Sequence, residues 1–256
     1  MHPLRTARRL ADAAFDTWQD ARGRSDLEQS VGMGADGTPT SLADQLVEAA
    51  ILEEAAAAGL SVLSEEAGFV DNGSPEWAVV DPLDGSRNAE HGVPFYCTSI
   101  AIADGDLDGL QAGVVRNLVT GDTYAAQARG GAAVNGKDVV RRGLPEGRDL
   151  FVGTIVDHLD QLPQRHPEHH YRDMGSSALE LCLAGAGAFD AFVVNGSWLR
   201  VMDVAAGVLF VREAGGAALD PKGGDLNMPL DLAARTGVVA VHNVDALPLL
   251  DMEGLP

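Results

Sequence analysis

The chain has 256 residues, 46% of them hydrophobic, and a formal net charge of −20. That length and apolar content can build a substantial core, which excludes a disordered tail or a low-complexity protein. The charge excludes non-specific binding of nucleic acid or anionic membranes, because the field of the whole molecule repels phosphate polymers.

Leu4, Ala7, Ala11, Ala14, Phe15 and Trp18 recur at helical spacing, so residues 3–21 are expected to form an amphipathic helix, with Gly23 as a left-handed cap. Residues 30–40 are glycine-rich and are expected as a loop. A second helix is predicted from Ser41, its N-cap, to Ala58, stopped by Gly59. Leu60–Leu63 and Trp77–Val80 read as strands that deliver Glu65-Glu66 and Asp81 at their ends. Tyr96–Ala103, Leu110–Arg116 and Asp122–Ala128 read as an antiparallel meander, followed by a glycine-rich connection over 130–140. The second half alternates: a strand at 150–156, a polar loop at 157–170, a helix at 176–186 and a strand at 188–194. A helix at 203–214 and strands near 217–219 and 237–242 complete it. The mixture predicts an α/β chain of layered sheets and helices, one domain over 1–256 with lobes 1–145 and 146–256 meeting near residue 145.

Lysine occurs only at Lys137 and Lys222. An acidic, lysine-poor surface suits a protein dissolved in concentrated salt; an acidic enzyme from a GC-rich genome has the same composition. Cys97 and Cys182 lie far apart in apolar contexts and read as buried thiols rather than as a disulfide or a nucleophile. The N-terminus, with Arg5, Arg8 and Arg9 and no apolar run, predicts a soluble, cytoplasmic protein with no membrane partner.

Glu65, Asp81, Asp84 and Asp203 each fall at a strand end or a helix start, where ligand-binding residues collect in α/β folds. In Asp81-Pro82-Leu83-Asp84-Gly85-Ser86, Pro82 fixes φ and makes no ladder bond, so the chain is expected to turn out of the strand. Asp81, Asp84 and the Leu83 carbonyl then form an all-oxygen set suited to Mg²⁺. Gly85 lets the backbone approach a phosphate, whose oxygens the N–H groups of Gly85 and Ser86 can receive. Pro-Leu-Asp-Gly is also an ordinary turn, and the residues alone leave both readings open.

Trp77-Ala-Val-Val-Asp-Pro-Leu-Asp-Gly-Ser-Arg-Asn resembles the first metal motif of the inositol monophosphatase family, and Leu63-Ser-Glu-Glu its preceding glutamate motif. Leu199-Arg-Val-Met-Asp-Val-Ala-Ala-Gly, with Glu213-Ala-Gly-Gly, resembles the C-terminal motif. The stretches beginning at Gly32 and at Arg172 are similar to the archaeal branch, associated with hydrolysis of inositol 1-phosphate and fructose 1,6-bisphosphate. The composition agrees with a haloarchaeal member.

The resemblance implies a layered α-β-α-β-α sandwich, a homodimer, inhibition by lithium, and two or three Mg²⁺ ions per site. It implies ligation by Glu65, Asp81, the Leu83 carbonyl, Asp84 and Asp203, with Ser86 on the attacking water and Asp44 orienting the Ser86 hydroxyl. It also places Arg172, Gly175, Ser176, Ser177 and Gly196 at the sugar or distal phosphate. In the animal inositol enzymes a glutamate follows the strand where Val194-Asn195 stands here, which leaves room for sugar bisphosphates. Arg87 and Arg200 are either helpers for a second phosphate or surface residues. Asp36 is a candidate contact to a third metal. His158, His166, His169 and His170 read as a polar loop rather than a transition-metal site. A nucleophilic Ser86 would need a nearby base, and only His91 is close in sequence. A 3′(2′),5′-bisphosphate nucleotidase is the alternative enzyme; a catalytically inert metal- or polyol-binding regulator is the non-enzymatic one.

Overall fold

The computed structural model describes residues 2–35, 37–144, 149–155 and 162–250. Helix α1 (Pro3–Ala21) starts on proline, whose missing N–H costs nothing in a first turn, and buries Ala7, Leu10, Ala11, Ala14 and Trp18. It closes on Arg22 in a right-handed conformation, so Gly23 is not the left-handed cap expected of it. Residues 30–40 are not merely a loop: β1 (Ser30–Met33) and β2 (Pro39–Ser41) pair as an antiparallel hairpin. Weak local propensity is overcome from outside, since the Ala35 N–H between the two strands donates to the Glu66 carbonyl at 2.9 Å. Helix α2 (Leu42–Ala58) has the expected Ser41 cap and ends on left-handed Gly59.

The large sheet is built from β3 (Ser61–Ser64), β4 (Gly68–Val70), β5 (Trp77–Asp84), β6 (Cys97–Ala103), β7 (Leu110–Asn117), β8 (Thr123–Gln127), β9 (Gly131–Val134) and β10 (Lys137–Asp138). Its order is β10-β9-β8-β7-β6-β5-β3-β4, antiparallel except for the β3–β5 pair. The meander is as expected, and the 130–140 connection extends it by a further hairpin turning on Asn135 and Gly136, both at positive φ. A short helix, α3 (Ser86–Glu90), leaves the end of β5.

The smaller sheet has the order β12-β11-β13-β15-β14, from β11 (Phe151–Thr154), β12 (His170–Arg172), β13 (Ala191–Arg200), β14 (Ala217–Leu219) and β15 (Arg235–Val241). Its helices are α4 (Leu162–Arg165), α5 (Ser177–Gly185), α6 (Val201–Glu213) and α7 (Leu247–Leu250). The expected 157–170 loop thus holds α4 and the first residue of β12, and β13 runs on to residue 200 through an irregularity opposite β15. The seam near residue 145 lies outside the described residues.

Side-chain alternation stacks these elements. Ala78 and Val80 of β5 face a core shared with α1 and α2, whereas Val79 faces one shared with α5 and α6. Phe192 and Val194 of β13 meet α5 and α6 from the other side, while Ala191 and Val193 face Leu162 and Leu250 of α4 and α7. The result is the expected α-β-α-β-α sandwich, with an outer layer of two short helices. Among the described residues no helix is long and apolar enough to cross a membrane.

Candidate active site

Parallel pairing of β3 with β5 in the register Ser64↔Val80 brings Glu65 level with Asp81, where the two strands end together. Strand β5 continues to Asp84, paired with β6 as Asp81↔Ser99 and Asp84↔Cys97. Three steps on β5 therefore face two on β6, a bulge at Pro82-Leu83. In a regular strand residues three apart point to opposite faces; the extra residue returns Asp84 to the face of Asp81. Pro82 thus sits in a bulge, not in the sharp exit expected from sequence. Its missing N–H is tolerated because β3 has ended and only β6 pairs there. Helix α6 begins over the same face: the Ser99 hydroxyl donates to Met202 O at 3.3 Å, and Asp203 follows in the first turn.

Burial makes this cluster electrostatically demanding. Asp81 is 1% exposed, and desolvation, then the charges of Glu65 and Asp84, push its carboxyl well above the usual range. Asp84 is pushed up to about 6 by burial first and Asp203 second. It is oriented by the Ser176 hydroxyl at 2.7 Å and the Ala178 N–H at 2.8 Å, both on its Oδ2. An all-oxygen donor set in which neighbouring acids raise the proton affinity of Asp81 and Asp84 is what hard divalent cations relieve. Glu65, Asp81, Asp84 and Asp203, with Leu83 buried among them, therefore fit Mg²⁺.

Arg200 supplies positive charge within the cluster. It is not a surface residue: its guanidinium is ion-paired with both Glu65 and Asp203. Glu48, one helical turn after Asp44, accepts from Ser64 Oγ at 2.5 Å and from the Ala67 N–H at 2.9 Å, and so braces the turn carrying Glu65. Thr40 in β2 hydrogen-bonds Glu66. None of these supports is marked by local sequence except Glu48, whose i,i+4 spacing from Asp44 puts it on the same helix face.

The remaining expected residues divide. Gly85 adopts φ 88°, and a Cβ there would stand 3.0 Å from the Gly175 carbonyl, so the metal loop and the segment before α5 touch backbone to backbone. Asn88 ties them by donating to Phe95 O and Met174 O, each at 2.7 Å. Ser86 opens α3 beside them, and Ser177 is the buried first residue of α5. Ser176 is buried with its hydroxyl on Asp84. Asp44 accepts from Ser41 Oγ at 2.5 Å and from the Ser41 N–H at 3.2 Å as the reciprocal half of a helix cap. No hydrogen bond joins it to Ser86 among the described residues, so the expected orienting contact is not made. Arg172 lies over the Phe151 ring at 5.2 Å and donates to Tyr171 O. Gly196 sits under the Trp198 indole, where any Cβ would collide.

Both cysteines are buried and free, as expected. Ligand atoms of His166, Glu168 and His169 lie within 4.8 Å of one another. However, His169 Nδ1 accepts from the Leu150 N–H and its Nε2 meets Leu249 O, so both ring nitrogens are committed to backbone. His158 and Asp36 lie outside the described residues.

The family model described as the inositol monophosphatase family matches residues 2–250. A fructose-1,6-bisphosphatase/inositol-1-monophosphatase of Archaeoglobus fulgidus is 37% identical over 84% of this chain and 83% of its own. A bifunctional NADP phosphatase/NAD kinase of Methanococcus maripaludis is 33% identical over 84% of this chain but 42% of its own. Among solved structures, a hypothetical Pyrococcus horikoshii protein with similarities to inositol-1 monophosphatase superposes with a TM-score of 0.86 at 26% identity, over 99% of both chains. With three motifs converging on one buried carboxylate cluster, the chain belongs to the inositol monophosphatase family and is a phosphatase.

Proposed function

We propose that this phosphatase hydrolyses phosphate monoesters of small sugars and polyols, inositol 1-phosphate and fructose 1,6-bisphosphate foremost, with two or three Mg²⁺ ions. The observation that carries the reading is the convergence of Glu65, Asp81, Asp84 and Asp203, from two strand ends and a helix start, on one buried point. When bound, Mg²⁺ supplies an activated water and neutralises charge on the phosphate and leaving group. Glu65, Asp81 and the Leu83 carbonyl would hold one ion, and Asp81, Asp84 and Asp203 another. Ser86 directs its hydroxyl at the attacking water, and the N–H groups of Gly85 and Ser86 receive phosphate oxygens. Asp44 acts indirectly, by capping α2 and so steadying the hairpin beside Glu66. Arg172, the Gly175–Ser177 segment and Gly196 line the substrate side, with Ser176 also holding Asp84.

The relative from Archaeoglobus fulgidus, named for both activities, supports this substrate pair. The NADP phosphatase relative favours a nucleotide substrate as the second reading. A cytoplasmic homodimer, lithium sensitivity and a surface adapted to molar salt complete the proposal. A single domain over 1–256 whose two lobes share one site belongs to the same reading, supported by the packing of α5 and α6 against both sheets.

The test is phosphate release from inositol 1-phosphate, fructose 1,6-bisphosphate, adenosine 3′,5′-bisphosphate, 2′-AMP and NADP, with Mg²⁺ in molar KCl, with and without lithium. Mg²⁺-dependent, lithium-sensitive release from the first two is expected. Faster release from the nucleotides would transfer the reading to them; no release from any by folded protein would leave an inert binder.

A further inference from the structure

Arg200 ends β13 and is the N-cap residue of α6. Its backbone N–H donates to Asp203 Oδ2 at 2.7 Å, while Nε and Nη2 reach Asp203 Oδ1 at 3.2 and 3.0 Å. Its Nη1 is ion-paired with Glu65. The side chain is 19% exposed, so these pairs are largely withdrawn from water. One planar guanidinium thus spans a carboxylate at the end of β3, in the large sheet, and a carboxylate at the start of α6, between the sheets. The charge of Arg200 also acts on Asp81 and Asp84.

The same carboxylates are the ligands assigned above to Mg²⁺, and the inference rests on that reading. A carboxylate oxygen engaged by a guanidinium N–H offers less to a cation, and an arriving divalent ion repels the guanidinium at short range. Arginine cannot yield by losing its proton. It has to move.

We propose that Arg200 is a tethered counter-cation that holds Glu65 and Asp203 together in the unloaded chain and is displaced by Mg²⁺, so that this residue sets the affinity for metal. It is a positioning residue, acting through the ligands rather than on the substrate. Two effects follow from one contact. Removing the guanidinium weakens the unloaded fold, because Glu65 and Asp203 lose an ion pair and Asp81 and Asp84 a nearby positive charge, and strengthens metal binding, because the competitor is gone. Lysine, a single point charge that cannot bridge both carboxylates in a fork, falls between arginine and a neutral side chain.

The experiment is calorimetric titration of Mg²⁺ into the full chain in molar KCl, for the natural sequence, Arg200→Lys and Arg200→Met. Arg200→Met is expected to lower the Kd about tenfold or more, equivalent to about 1.4 kcal/mol, with Arg200→Lys between. Without Mg²⁺, the melting temperature should fall in the order Arg, Lys, Met, and saturating Mg²⁺ should close the gap. In the natural protein, the guanidinium NMR resonance missing from the Arg200→Lys spectrum should shift with the same midpoint as Mg²⁺ binding. This measurement decides the matter if Arg200→Met does not fold. Should Mg²⁺ bind while that resonance stays fixed, or bind no more tightly to the variants, the inference falls and the metal reading stands. Should the natural protein take up no Mg²⁺ at all, both fall.

Discussion

Asp203 illustrates how much is asked of a single side chain. It accepts the Arg200 N–H on Oδ2, which suits a carboxylate in the first turn of a helix, and its Oδ1 accepts from the Arg200 guanidinium. Asp203→Asn keeps the helix cap but removes one of the proposed anionic ligands; turnover at saturating Mg²⁺ should fall by at least about 100-fold with the melting temperature little changed. Glu180 makes a different prediction. It is 0% exposed; its Oε1 accepts from the Met174 N–H at 3.4 Å and its Oε2 has no hydrogen-bond partner among the described residues. Burial, then the charges of Asp173 and Asp84, raise its carboxyl from 4.5 to about 9. Between those values the native state holds a proton that the unfolded chain has released. Stability therefore falls as pH rises through that window, by at most about 1.4 kcal/mol per pH unit from this group. Glu180→Gln removes the dependence, so its melting temperature relative to the natural protein should climb from about pH 5 to about pH 8. Parallel curves for the two proteins would rule the account out. Both carboxylates are conspicuous as acids in the sequence, but only Asp203 shows its role there, through its motif. The importance of Arg200 was hidden because its partner Glu65 lies 135 residues away.

At the scale of elements, the bulge in β5 decides the chemistry. Asp81 and Asp84 are three residues apart, and only the register against Ser99 and Cys97 shows that they share a face. Sequence identifies the acids and the proline; the partner strand determines whether the chain turns or bulges. The loop that follows depends on Gly85, whose positive φ and contact with the Gly175 carbonyl leave no place for a side chain. Gly85→Ala should cost about 1–3 kcal/mol in strain and separate the metal loop from the segment before α5. A lowered melting temperature together with lost phosphate release checks this; an active variant of unchanged stability would contradict it. Elements with strong local signals were legible: α2 between Ser41 and Gly59, and the meander from its alternating strands. The Asn135-Gly136 turn carries a hairpin signal too, masked by the neighbouring Gly130 and Gly131. The β1–β2 hairpin had no such signal, because its support comes from the Glu66 carbonyl.

Over the whole molecule, a charge of −20 must be carried by a fold that also concentrates four acids at one buried point. Self-repulsion of surface carboxylates is screened by salt, while the buried cluster is screened much less. Raising KCl from millimolar to molar should therefore raise the melting temperature, and Mg²⁺ should add a further increment that KCl does not replace. Equal stability in low and high KCl would refute the salt-adapted reading. The sequence by itself determined the layered α/β architecture, the family and the acids proposed as ligands, because periodic apolar patterns and contiguous motifs are local properties of the chain. The tertiary structure decided which face the acids share, which donors orient Asp84, and that Arg200 is their internal counter-ion. Those depend on strand register and on contacts between residues far apart in the chain, where the low dielectric of the interior makes each charge count.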